Sequence, residues 1–83
     1  MLKIREIFED DDDIVKYLQR RALLKQYLSA KSQLLSGSFS SRDFKKRQPK
    51  SDGVWSFRIN RKYRAWGYFR GDDFIVSDIN DHQ

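Results

Sequence analysis

Residues 54–69, VWSFRINRKYRAWGYF, alternate so regularly that they leave the backbone few choices. Two runs of period two, separated by a polar and basic link, form a β-hairpin. In the first run Trp55, Phe57 and Ile59 share one face, and Val54, Ser56, Arg58 and Asn60 share the other. In the second, Tyr63, Ala65, Gly67 and Phe69 oppose Arg64, Trp66, Tyr68 and Arg70. A three-residue loop, Asn60-Arg61-Lys62, sets Ile59 across from Tyr63 and unites the two apolar sets. A two-residue loop would mix the faces and send Arg64 toward the core. Register follows the buried face, so the three-residue loop is predicted. It also places Arg58 directly opposite Arg64, beside Trp66 and Tyr68. Like charges opposed across a sheet are destabilising. Either an aspartate of the following strand, such as Asp78, lies between them, or an anionic ligand does.

The rest of the chain is read around this hairpin. A third strand, Asp73 to Ile79, follows a turn at Gly71 and completes an antiparallel meander. At the other end LKIREIF, Leu2 to Phe8, alternates roughly and reads as a short first strand. The acidic run EDDDD that follows suits a helix N-terminus, where carboxylates accept from free N–H groups and complement the dipole. Nothing beside it has the spacing of a calcium loop. Apolar residues then recur at helical spacing from Ile14 to Leu35, namely Ile14, Tyr17, Leu18, Leu24, Tyr27, Leu28, Leu34 and Leu35. The phase slips between Gln19 and Ala22, so the segment reads as a helical hairpin or one long helix. Ser36 and Gly37 end it. Residues 37–53 form a long connection, rich in serine and charge, with the only proline and a short strand expected around Phe44. Residues 1–83 therefore form a single α+β domain: N-terminal strand, helical hairpin and antiparallel β-meander, with the helices packed on one face of the sheet.

Charge distribution narrows the choice of partners. The net charge is +5, but residues 42–70 hold ten Lys or Arg against only Asp43 and Asp52. Residues 71–83 hold four aspartates and no Lys or Arg. A basic band of this kind suits a polyanion, because each neutralised phosphate releases counterions. It also suits a plain solubilising surface. The absence of cysteine excludes a disulfide scaffold and a thiolate metal site, and a lone histidine, His82, argues against a zinc site. No stretch has the length of a membrane span, so a soluble, cytoplasmic protein with no membrane partner is expected. On the open face of the hairpin, guanidiniums would grip phosphates and the Trp66 and Tyr68 rings would stack on unpaired bases. The competing reading packs those rings beneath the 37–53 connection. Lys46, Arg47, Lys50, Arg61 and Lys62 are the further candidate RNA contacts.

The motif GVWSFRINRKYRAWGYF…DFIVSDINDH resembles the C-terminal half of the RelE/ParE superfamily of toxins from bacterial toxin–antitoxin systems, in particular its YoeB and HigB branches. The resemblance is tight from Gly53 to His82; upstream it follows only in the order strand, two helices, basic loop. It implies a ribosome-dependent mRNA endoribonuclease that needs no metal or other cofactor. In that chemistry the ribose 2′-hydroxyl attacks the adjacent phosphate and the 5′-oxygen leaves. A base, positive charge for the phosphorane and an acid are required. Carried over residue by residue, Arg64 is the family's strand arginine, Arg58 assists it, and His82 is the terminal histidine and general acid. Where YoeB-like members carry a glutamate base, gapless extension places Lys45. Other RelE-like toxins use loop lysines, so Lys45, Lys46 or Lys50 would take that task, provided neighbouring cations such as Arg47 depress the lysine pKa. The chain also ends His82-Gln83, where YoeB-like members end His-Tyr. The implied partners are a cognate antitoxin, the ribosome with its mRNA, and operator DNA only through the antitoxin complex. Two other functions compete with this one: a ParE-like inhibitor of DNA gyrase, and a non-catalytic nucleic-acid-binding module.

Overall fold

The structure is a computed structural model that describes residues 2–47 and 52–81. Strand β1 (Ile7–Glu9) leads into helices α1 (Asp12–Arg20) and α2 (Leu24–Leu35). A 3-10 turn (Ser40–Arg42) and a two-residue strand β2 (Lys45–Lys46) follow, then β3 (Trp55–Arg58), β4 (Arg64–Arg70) and β5 (Asp73–Asn80). The sheet order is β1-β5-β4-β3-β2, with β1 parallel to β5 and the remaining pairs antiparallel. The expected α+β class and element order are therefore both present. No helix among the described residues is long and apolar enough to cross a membrane.

The paired part of β1 is shorter and later than the alternation suggests. Ile4 and Ile7 are both buried although three residues apart, because the chain bends at Arg5. At the bend the Arg5 N–H donates to the Asp72 carbonyl at 2.9 Å and its guanidinium to both carboxylate oxygens of Asp73, at 3.0 and 2.7 Å. The acidic run caps α1 as expected: Asp11 accepts from the Asp13 N–H at 2.8 Å, and Asp12 and Asp13 occupy the first turn. The phase slip is a real break. Ala22 takes φ +57, and Leu23 N–H closes back onto the Leu18 carbonyl at 2.8 Å. This geometry turns the chain into α2, whose buried face is Leu23, Tyr27, Ala30 and Leu34. Leu28 and Leu35, which the spacing also counted as apolar-face positions, are exposed. Tyr27 hydroxyl donates to Glu9 at 2.6 Å, and Lys31 donates to the same oxygen at 2.9 Å, tying α2 to the end of β1. Burial first, and the Glu9 hydrogen bond second, raise the Tyr27 pKa, so the phenol stays a donor.

The core joins the helices to Phe57, Ile59, Ala65, Phe74, Val76 and Ile79 of the sheet region. Two details of β4 and β5 decide which side chains reach the opposite face. The register shifts between Trp66 and Gly67, leaving Ser77 unpaired, so that Val76 and Ile79 both point to the core. At that shift the Ile75 carbonyl lies so close to Gly67 that a Cβ there would collide with it. Position 67 thus requires glycine. Downstream of the bulge, Asp78 faces Trp66 and Asn80 faces Arg64.

Candidate nucleic-acid interface

The hairpin has the register that its buried face dictates. Ile59 N–H donates to the Tyr63 carbonyl at 3.0 Å, and Asn60 Oδ1 accepts from Lys62 and Tyr63 N–H groups, both at 2.8 Å, bracing the three-residue loop. Arg58 is paired with Arg64, and Ser56 with Trp66. Lys45 of β2 lies across from Ser56. Arg58, Arg64, Lys45 and Trp66 are therefore gathered on the sheet face away from the helices.

The anion between the two arginines is Asp43. Its Oδ2 lies 3.0 Å from Arg64 Nη1, 3.4 Å from Lys45 Nζ and 3.8 Å from Arg58 Nη2. Arg64 also donates to the Asp43 carbonyl at 2.8 Å and, through Nε and Nη2, to Ser56 Oγ at 3.1 and 2.9 Å. Arg64 is thus 3 % exposed, whereas the Arg58 side chain is 48 % exposed. Two expectations are corrected here. The counter-charge comes from the connection after α2, not from Asp78, which accepts instead from Asn80. Arg64 does not stand open beside Arg58, because the same connection closes over it.

Local sequence explains how Asp43 reaches that position. It follows the 3-10 turn in the left-handed region, φ 48 and ψ 47, which aspartate tolerates better than most residues. Next in sequence, Phe44 anchors the connection from the helix side. Its ring stacks on Trp55 at 5.1 Å and meets Phe69 and Phe74 edge-on. Burying Phe44 on one side of the sheet places Asp43 over Arg64 on the other. Partial desolvation pushes the Asp43 carboxyl upward, but hydrogen bonds from Arg64 and Lys45, and then their charges, outweigh it. The group is held below the ordinary carboxylate range.

The remaining candidates divide. Trp66 is half-buried and donates through Nε1 to Asn80 at 2.9 Å; Tyr68 lies further along β4, opposite Ile75. The connection reaches Arg64 through Asp43. Arg61 and Lys62 are exposed at the hairpin tip. Lys46 Nζ lies 5.8 Å over the Trp55 ring, away from the arginines. Arg47 is bound to Asp52, donating at 2.6 and 3.2 Å, and Asp52 is held below its ordinary pKa first by that bond and then by the Val54 N–H. Lys45 is ion-paired with a carboxylate, which suits a cation facing a phosphate better than a base. Lys50 and His82 lie outside the described residues; Asn80, the last residue of β5, is level with Arg64. Asp43 and Ser56 were not singled out from the sequence. The signal for Asp43 was there, as one of only two acids in the basic band.

No family model matches the chain, and no curated protein matches it either.

Proposed function

We propose that this chain is a RelE-like toxin that binds messenger RNA on the ribosome and cleaves it without a metal. The supporting observation is the carboxylate held among Arg58, Arg64 and Lys45, which stands where a backbone phosphate would sit. Three convergent cations on a sheet face are the electrostatic requirement for a pentacoordinate phosphorane, whose extra negative charge they would favour over the ground state. The 2′-hydroxyl loses its proton to solvent water, the bond from the 2′-oxygen to phosphorus forms as the bond to the 5′-oxygen breaks, the leaving oxygen takes up a proton, and a 2′,3′-cyclic phosphate remains. Arg58 and Lys45, both exposed, receive the phosphate, and Arg64 braces them from beneath. His82 takes the general-acid role on the strength of the resemblance. Asp43 is a poor proton acceptor because its pKa is lowered, and Lys45 is committed to an ion pair. Charge stabilisation is accordingly this face's main contribution.

A second reading has a specific observation behind it. Arg64 is 3 % exposed and its Nε, Nη1 and Nη2 are all taken up by Asp43 and Ser56, which suits a module that holds RNA without cutting it. Primer extension on a translated mRNA separates the two. Discrete stops that require ribosomes, disappear in Arg58→Ala and return in part with Arg58→Lys support cleavage. Intact mRNA, with RNA binding retained, supports the second reading.

A further inference from the structure

On the helix side of the hairpin tip, an open groove of about 640 Å³ lies between α2 and the Asn60-Arg61 turn. Its size is within the range of small-molecule sites. Among the described residues three cations line it, Lys25, Arg42 and Arg61, and no acidic residue does. Of these, only Arg42 is drawn in from solvent. It is half-buried, and its two hydrogen bonds go to neutral oxygens, Nε to Gln33 Oε1 at 2.9 Å and Nη1 to the Ile59 carbonyl at 3.1 Å. Gln33 is itself fixed, accepting from Ser41 at 3.0 Å on the same oxygen. The neighbouring carboxylate, Asp43, is turned to the other side of the sheet and bound to Arg64. A guanidinium drawn in from water and oriented by neutral acceptors keeps its charge uncompensated, and the like charge of Lys25 raises the local potential. Arrangements of this kind attract an anion from outside, and Arg42 Nη2, which is in neither hydrogen bond, can donate to a phosphate.

We infer that the groove formed by Lys25, Arg42 and Arg61 binds a phosphate of a single-stranded RNA whose neighbouring nucleotides lie at Arg58. The two places adjoin: Arg58 belongs to the sheet face, and the next residue, Ile59, presents its carbonyl to Arg42. A strand rounding the hairpin tip would pass from one to the other. Apart from Ile59 the lining is polar, with Ser29 and a Gln26–Asn60 hydrogen bond of 2.9 Å, which suits a sugar–phosphate chain better than an apolar protein segment. The inference rests on the proposed function only in taking RNA as the anion.

The test uses uncleavable 2′-O-methyl RNAs of three and ten nucleotides, with binding measured across a salt series in the absence of ribosomes. Lys25→Glu should weaken the ten-mer roughly tenfold and reduce its salt slope by about one, while the three-mer changes less than about twofold. The same charge reversal at exposed Lys16 on α1 should leave both unchanged. Arg42→Gln should follow Lys25→Glu, and the lysine variant keeps the test valid if Arg42→Gln fails to fold. An unaffected ten-mer, an equal loss for both lengths, or no binding of the ten-mer by the unmodified protein overturns the inference. So does a groove that takes a ten-residue polyglutamate in place of RNA. Groove binding with intact translated mRNA would defeat only the cleavage reading. Cleavage with normal ten-mer binding in Lys25→Glu would defeat only the groove.

Discussion

Arg42, within the connection after α2, and Arg64, beneath it, serve opposite sides of the sheet, and each is drawn at least partly inside the protein. Arg64 meets a carboxylate, a carbonyl and a serine hydroxyl; Arg42 meets a carbonyl and an amide oxygen, both neutral. Arg64's charge is thus balanced from within, while Arg42's is left for an external anion. Balance from within makes Arg64 a structural anchor, while Arg58 and Lys45 keep the greater exposure and are the two cations to which the proposed function gives the phosphate. Two arginines in one basic band therefore take different parts, and it is the turn residue Asp43 that separates them.

Removing the internal counter-ion should have the largest effect. Breaking a buried pair from one side costs about 3–5 kcal/mol, and Asp43 is partly exposed, so Asp43→Ala should lose about 2 kcal/mol in urea unfolding. Part of that loss is the left-handed backbone, which alanine tolerates poorly. Asp43→Asn keeps the acceptor and the backbone preference, and should lose markedly less. Ser56→Ala removes two hydrogen bonds to Arg64 and should cost about 1–1.5 kcal/mol by the same measurement. Gln33→Leu frees the Arg42 guanidinium; it should leave the urea midpoint within about 0.5 kcal/mol of the original while weakening ten-mer binding. An Arg42 role confined to the fold would give the reverse pattern.

Acid separates the two regions in another way. Asp43, Asp52 and Asp73 all titrate below their ordinary value in the folded protein, Asp73 chiefly through the Arg5 hydrogen bond. The unfolded chain therefore binds more protons than the folded one between the two pKa values, and stability rises with pH across that interval. Their contribution is complete above the unfolded carboxylate pKa of about 4 and fades as pH falls through the lower folded values. Urea midpoints measured from pH 7 to pH 2 should stay nearly level to about pH 4 and then drop. Asp43→Asn should shallow that drop. Among the described residues the Arg42 groove has no lining carboxylate, so Gln33→Leu should leave the profile's shape unchanged.

The hairpin register was legible in the sequence because the face to be buried allowed one loop length, and Arg58 opposite Arg64 followed from it. The cap at Asp11 and the break after Arg20 were legible for a similar local reason. The bend at Arg5 was not, because the partners of Arg5, Asp72 and Asp73, are distant in sequence. Nor was the burial of Arg64. That depends on Phe44 finding a place among Trp55, Phe69 and Phe74, which brings Asp43 with it. Leu28 and Leu35 mislead for the complementary reason: helical spacing admits two adjacent faces, and the break at Ala22 selects the one that starts from Leu23.

Binding of a 2′-O-methyl RNA trinucleotide to the unmodified protein, Asp43→Asn and Arg58→Ala tests most directly whether this face receives phosphate. If the Asp43 carboxylate stands in the phosphate's place, Asp43→Asn should bind roughly tenfold more tightly, about 1.4 kcal/mol, and Arg58→Ala should bind more weakly. Unchanged or weaker binding by a folded Asp43→Asn, with Arg58→Ala equal to the unmodified protein, would contradict the account.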